Sequence, residues 1–206
     1  MALAHEHAAG VPAIPVHFNL LSSTCLSPPS PPRPTLIAMS AALDPNFRVQ
    51  DSEWYSVTGP WVLDEEISPE QFSRHRSLAE LRAFVEAGDK PVVVGWGSMI
   101  PHGMQGHELL GLALRGLRAA GKRGVIVGGW AELDRLGLEL LAGGLSEIGP
   151  DHDSLRAFAR TSAFFAPHVP HAWLLERSSC IVHHGGSGTT HAAVLAGCPS
   201  VVTPIC

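Results

Sequence analysis

The chain has 206 residues, 45% of them apolar and 16% charged, with a formal net charge of -5. That is ample for a buried core, and it offers no basic excess to hold a nucleic-acid backbone. No stretch approaches the roughly 20 consecutive apolar residues of a membrane span, and the first basic residue is Arg33, so the N-terminus lacks the charged start of a signal or transit peptide.

Cys25, Cys180, Cys198 and Cys206 are scattered, with no CxxC pair. Reduced thiols and a cytoplasmic location follow as the default. The 12 histidines include His183-His184 and the pair His168 and His171, but none has the i, i+4 spacing of a helical zinc site. No metal is therefore expected.

Residues 1–35 read as loosely ordered, because Leu26 to Pro34 contains five prolines, which remove backbone donors and favour extended conformation. Pro28 and Pro31 fit a PxxP spacing, although a plain linker is the simpler reading. Thr35-Leu36-Ile37-Ala38-Met39 has the makings of one short strand. Asp51 to Glu66 is a mixed segment whose Gly59-Pro60 marks a change of direction, and Ser73 to Ala87 carries Leu78, Leu81 and Phe84 at i, i+3 spacing, a helical pattern. Residues 36–90 are thus expected to be a connector with one helix.

From Pro91 strands and helices alternate, the pattern of a parallel sheet with crossover helices. Val92-Val93-Val94-Gly95 is a buried strand that ends at Trp96-Gly97-Ser98-Met99. Glu108 to Ala120 is an amphipathic helix stopped by Gly121. Gly124 to Val127 is a second strand, ending in Gly128-Gly129-Trp130, and Leu133 to Leu141 a shorter helix. Ser162 to Phe165 is a third strand, followed by Pro167-His168-Val169-Pro170-His171, then a helical turn over Ala172 to Glu176. Ser179 to Val182 is a fourth strand, the helix from Ser187 follows, and Ser200 to Thr203 is a fifth strand.

The richest stretch is Ile181-Val182-His183-His184-Gly185-Gly186-Ser187-Gly188-Thr189-Thr190. It runs from strand through a glycine-rich turn into a helix. Glycines allow close backbone approach, and the free N–H groups of a first helical turn favour an anion. In parallel α/β sheets ligands gather at the C-terminal strand edge. The tips carrying Gly97-Ser98, Gly129-Trp130, His168 to His171 and His183 to Thr189 should therefore meet on one face.

Three ordered motifs then resemble a known family. They are Val94-Gly95-Trp96-Gly97-Ser98-Met99, Val169-Pro170-His171-Ala172-Trp173-Leu174-Leu175, and His183-His184-Gly185-Gly186-Ser187-Gly188-Thr189-Thr190 with Ala196-Gly197-Cys198-Pro199. Together they look like the C-terminal donor domain of GT-B glycosyltransferases, in the sterol glucosyltransferase group and its bacterial relatives that glycosylate macrolides and other lipophilic products. Val57-Thr58-Gly59-Pro60-Trp61 and Ala87-Gly88-Asp89-Lys90-Pro91 resemble the segment leading into that domain, so the likeness covers roughly residues 40–206.

The resemblance implies an α/β fold, a Rossmann-like parallel sheet over residues 91–206 forming the C-terminal half of a GT-B enzyme and incomplete at both ends. It implies transfer of a sugar from a UDP-sugar, commonly UDP-glucose, to a hydroxyl with inversion and without a metal or cofactor, the UDP-sugar being a substrate. By motif match His184 reaches a donor phosphate, and Gly186, Ser187, Gly188 and Thr189 supply backbone N–H and hydroxyl donors. Ser98 approaches the diphosphate from the other side, and Val169 to His171 grip the uracil, partly through main chain. Trp173 then packs the site wall. The bland alternative for His184 is a buried or capping histidine, and His183 reads as a structural neighbour bonding across the turn. Trp130 reads as core or wall, and His191 as solvent-facing or structural.

The family's sugar-reading Asp-Gln pair would follow Thr203-Pro204, beyond Cys206. A lipophilic acceptor and a catalytic base would belong to an N-terminal domain that residues 1–90 do not match, so no base is assigned. The expected product is the donor half of a UDP-sugar-dependent transferase, cytoplasmic or peripheral to membranes. The alternative is a truncated nucleotide-binding fragment without transferase activity. A dinucleotide-binding reading fails because Gly186-Ser187-Gly188-Thr189-Thr190-His191 has His at the third glycine position.

Overall fold

The computed structural model describes residues 16–17, 35–38, 55–59, 61 and 76–204. The chain divides into two compact units, 1–63 and 64–206. In the first, strands β1 (Val16–His17), β2 (Thr35–Ile37) and β3 (Tyr55–Val57) pair in parallel in that order, with Leu36 opposite Ser56. Ile37 is buried, and its carbonyl accepts from the Thr58 N–H at 3.0 Å. The short strand expected at Thr35 is therefore present. So is β1, inside the stretch read as loosely ordered; the proline-rich run Leu26 to Pro34 lies outside the described residues.

The second unit holds the predicted α/β pattern. Helix α1 (Arg76–Glu86) is followed by β4 (Val92–Val94), α2 (Gly106–Ala119) and β5 (Gly124–Val127). A 3-10 turn (Gly129–Ala131), α3 (Leu133–Ala142) and α4 (His152–Ser162) lead to β6 (Ala163–Ala166). Then come α5 (His171–Leu175), β7 (Cys180–His183), α6 (Ser187–Leu195) and β8 (Ser200–Val202). The first three residues of the predicted Ser73 to Ala87 helix lie outside the described residues. Helix α4 had no counterpart in the sequence reading, because its run His-Asp-Ser-Leu-Arg-Ala-Phe-Ala-Arg-Thr-Ser is mostly polar and buries only Leu155 and Ala159 fully.

The five strands are all parallel, in the order β6-β5-β4-β7-β8. Val92 and Val94 pair with Gly124 and Ile126 on one side and with Cys180 and Val182 on the other. Successive strand residues face opposite sides of a sheet, so the valine run feeds two cores. Val92, Val94 and Ile126 pack with Leu110, Leu114, Leu133 and Leu155 beneath α2, α3 and α4. Val93, Val125 and Ile181 pack with Leu81, Val85, Leu174 and Ala193 beneath α1, α5 and α6. A strand buried on both faces carries no polar alternation, which is why β4 reads as Val-Val-Val.

Gly124 and Gly137 are required by packing rather than by turn geometry. A Cβ on Gly124 would sit 2.3 Å from Leu117 Cδ1, and one on Gly137 would sit 2.2 Å from a Phe165 ring carbon. Helix α4 is fastened to α2 by charge. Arg115 donates to both carboxylate oxygens of Asp151, at 3.2 and 2.7 Å, and Arg118 adds a 2.9 Å bond. The Arg115 guanidinium holds the Asp151 carboxyl down at about 2.

Leu114 is fully buried at the centre of the first core. Leu114→Ala should lower the unfolding free energy by about 2–5 kcal/mol in guanidinium titrations. A loss under about 1 kcal/mol would mean that α2 is not seated on the sheet in solution.

Candidate functional site

The strand order determines where a site can form. The chain builds β4, β5 and β6 outward on one side, then returns to place β7 against the other edge of β4. In a sheet of this order the crossover helices diverge between β4 and β7, and the carboxyl tips of those two strands are where a ligand crevice forms. The loops there are Gly95 to Ile100 and His184 to Gly186.

Both loops are shaped by glycine. Gly97 and Gly185 have φ of +58° and +91°, a region costly for residues with a Cβ. Between the loops lies the His184 imidazole, half-buried. A Cβ on Gly97 would lie 3.6 Å from His184 Cε1, and one on Gly186 would lie 2.5 Å from His184 Nε2. The ring thus occupies the space that a side chain at 186 would take. Its Nδ1 is buried without a hydrogen-bond partner in the protein, as are Nε2 of His183 and Nε2 of His191, and such an atom is costly unless another group completes it.

Hydrogen bonds brace the two loops from behind. The buried Trp96 indole N–H donates to Thr203 Oγ1 at 3.0 Å, and that hydroxyl donates to the His183 carbonyl at 3.3 Å. Gly95 N–H donates to the Val182 carbonyl at 3.0 Å. His183 is 0% exposed, and its Nδ1 accepts from Gly185 N–H at 3.1 Å. It does bond across the turn, and the neutral ring therefore carries its proton on Nε2.

Helix α6 starts immediately after. Gly186 is its N-cap, and no side chain caps the end. The first hydrogen bond back along the helix is Thr190 N–H to the Gly186 carbonyl, at 2.9 Å. The N–H groups of Ser187, Gly188 and Thr189 precede it and have no intrahelical acceptor. Thr190 Oγ1 also donates to the Gly186 carbonyl, at 2.9 Å, fastening the first turn. A glycine approach, an uncapped nine-residue helix and an imidazole with a free nitrogen make a cradle for a negative group.

The other candidates occupy the same edge. Ser98 is exposed in the turn after Gly97. Val169 buries its side chain with Leu174 and Leu175. His171 opens α5, and burial holds its ring below the usual histidine range. Trp173 is half-buried beneath the Arg177 guanidinium, 5.0 Å from the ring centroid. His191, left open between solvent-facing and structural, is buried. Of the core and wall readings of Trp130, burial in the core is excluded, with 76% of its surface exposed. The sequence offered no signal for that, since an aromatic after Gly-Gly reads equally well as buried. Trp96 was seen only as part of a motif, and its bond to Thr203, 107 residues away, is a purely tertiary fact.

Among the described residues no three His, Cys, Asp or Glu side chains are grouped to hold a metal ion. Among them, too, no helix is long and apolar enough to cross a membrane.

His183 is pushed below the usual histidine range by burial, then by the nearby His184 and His171, and His171 by burial alone. A lowered folded pKa means that the unfolded chain takes up protons which the native state refuses. Stability should therefore be level above pH 6.5 and fall as the pH drops below it. Thermal unfolding from pH 8 to 5 checks this, and a His171→Asn, His183→Asn double variant should show a shallower acid slope. An unchanged slope would mean that other groups carry the effect.

No protein-family model matches the chain. Curated relatives do. A sterol 3-beta-glucosyltransferase of Arabidopsis thaliana is 32% identical over 132 residues, covering 64% of this chain and 17% of the relative. Glycosyltransferase GtfC of Amycolatopsis orientalis is 34% identical over 148 residues, covering 71% and 28%. A sterol 3-beta-glucosyltransferase of Saccharomyces cerevisiae is 32% identical over 157 residues, covering 74% and 11%. The chain thus spans less than a third of the length of each. A solved structure, the glycotransferase of kitacinnamycin, overlays 84% of this chain and 36% of its own at a TM-score of 0.49 and 18% identity, a likeness too slight to bear on function. Over some two thirds to three quarters of its length this chain is homologous to one segment of sterol 3-beta-glucosyltransferases and bacterial glycosyltransferases.

Proposed function

We propose that residues 91–206 are the donor-binding part of a UDP-sugar-dependent glycosyltransferase, with the donor held between the tips of β4 and β7. Residues 36–90 would be the connector into that domain. The observation that carries the reading is the convergence of the Gly97-Ser98 loop, the His184 ring and the uncapped start of α6 on one point. The homology to named glucosyltransferases supports a sugar nucleotide, with glucose as the sugar, over other phosphorylated ligands.

In glycosyl transfer an acceptor hydroxyl oxygen forms a bond to the anomeric carbon as the bond from that carbon to the diphosphate oxygen breaks. The electron pair leaves with the diphosphate. Charge therefore grows on the leaving group in the transition state, and donors fixed in advance around it lower the barrier. The Ser187, Gly188 and Thr189 N–H groups, the Thr189 hydroxyl, His184 and Ser98 are the donors that this chain supplies. Val169 and His171, at the β6 tip, would hold the uracil, Val169 through its backbone because its side chain is in the core. The proton lost by the acceptor goes to a base to which no residue of this chain is assigned. A sterol or similar lipophilic alcohol is the acceptor class consistent with the sterol-glucosylating relatives. A cytoplasmic location, with any membrane contact peripheral, belongs to the same reading.

Isothermal titration of the 206-residue chain with UDP should give saturable binding without added metal. His184→Ala should weaken it by about tenfold or more, the usual cost of losing a hydrogen bond to a charged group. Equal affinity in that variant, with an unchanged thermal unfolding profile, would remove His184 from the phosphate site.

A further inference from the structure

Trp130 is the most exposed large apolar side chain among the described residues, at 76%. Its indole combines a large apolar face with a polar edge, which suits it to contact a ligand ring. Its backbone, by contrast, is rigidly placed. The Trp130 N–H donates to the Gly97 carbonyl at 2.8 Å. Gly129, at φ +60°, lies so close that a Cβ there would sit 2.2 Å from the same oxygen. Gly128 N–H donates to the Ala166 carbonyl at 2.8 Å, tying the β5 tip to the β6 tip as well. The 3-10 turn that carries Trp130 is thus laced to the loop beside His184 on one side and to β6 on the other.

The sheet order turns this anchoring into a ligand contact. A diphosphate at the α6 start lies over the β7 tip, and the base-holding segment Val169 to His171 follows β6. With the order β6-β5-β4-β7, a nucleotide that joins those two points must cross the tips of β4 and β5. The β4 tip presents Gly97, which has no side chain, and the β5 tip presents Trp130. Of the other tryptophans near this edge, Trp96 is buried and Trp173 lies beneath Arg177. We propose that Trp130 is a binding residue of the donor site, its indole packing against the nucleoside of the bound sugar nucleotide. This rests on the reading of the β4–β7 crevice as a nucleotide site.

The chain as it stands should be titrated with UDP and, separately, with inorganic diphosphate, in wild-type, Trp130→Ala and Trp130→Phe forms. Loss of a base–aromatic contact predicts that Trp130→Ala binds UDP about tenfold more weakly. Diphosphate affinity should not move, and Trp130→Phe should recover most of the UDP affinity. The thermal unfolding midpoint should stay at the wild-type value, since the exposed side chain supports no core. Unchanged UDP affinity in Trp130→Ala would overturn the proposal while leaving the nucleotide site standing. Equal loss for UDP and diphosphate would also overturn it, because the side chain would then be shaping the Gly97 loop and not contacting the nucleoside. A wild-type chain that binds neither probe would overturn the nucleotide reading itself.

Discussion

One steric constraint organises the second unit: an imidazole must fit between two backbone segments at the place where the sheet order reverses. His184 fits because residue 186 has no side chain, a would-be Cβ there lying only 2.5 Å from its ring. Any larger residue at 186 would expel the ring, and with it the free nitrogen that faces no protein partner. The Gly97 carbonyl then receives the Trp130 N–H, so the same glycine positions the next loop along. Packing, not hydrogen bonding, is the first requirement here, and the hydrogen bonds through Trp96, Thr203 and His183 hold what packing allows.

On the proposed reading, the arrangement suits a leaving group better than a nucleophile. Helix-terminal N–H groups and an imidazole at a sheet edge are donors that keep their orientation, and donors that need not reorganise are most effective where charge appears during the reaction. Burial keeps His183 and His171 neutral at ordinary pH, so that the cradle draws its positive character mainly from the α6 dipole and backbone. That is the distribution expected of an anion site built on a helix start.

Much of this was legible residue by residue. Val92 to Val94, Gly124 to Val127 and Cys180 to Val182 declare buried strands by their unbroken apolar character, and the Gly185 to Thr190 turn declares a glycine-rich helix start. Helix α4 was not legible, because its stability comes from Leu155 and Ala159 and from the Arg115–Asp151–Arg118 cluster, partners distant in sequence. The short β1 was hidden in a proline-rich neighbourhood, where two residues pair only because β2 lies beside them. The candidate site shows the same division. The motifs name the candidate residues, and the fold brings the segments of Gly97, His184 and Gly186 together at one sheet edge. That Val169 turns its side chain into the core, that Trp130 turns its own out, and that Trp96 reaches Thr203 depend on the sheet order, which no local pattern encodes.

The most direct test of the central claim is amide chemical-shift mapping. On addition of UDP to the nitrogen-15-labelled 206-residue chain, the largest displacements should fall on the amides of Ser187, Gly188, Thr189 and Ser98, with smaller ones on the buried strands. Saturable UDP binding that leaves those four amides unmoved would contradict the account.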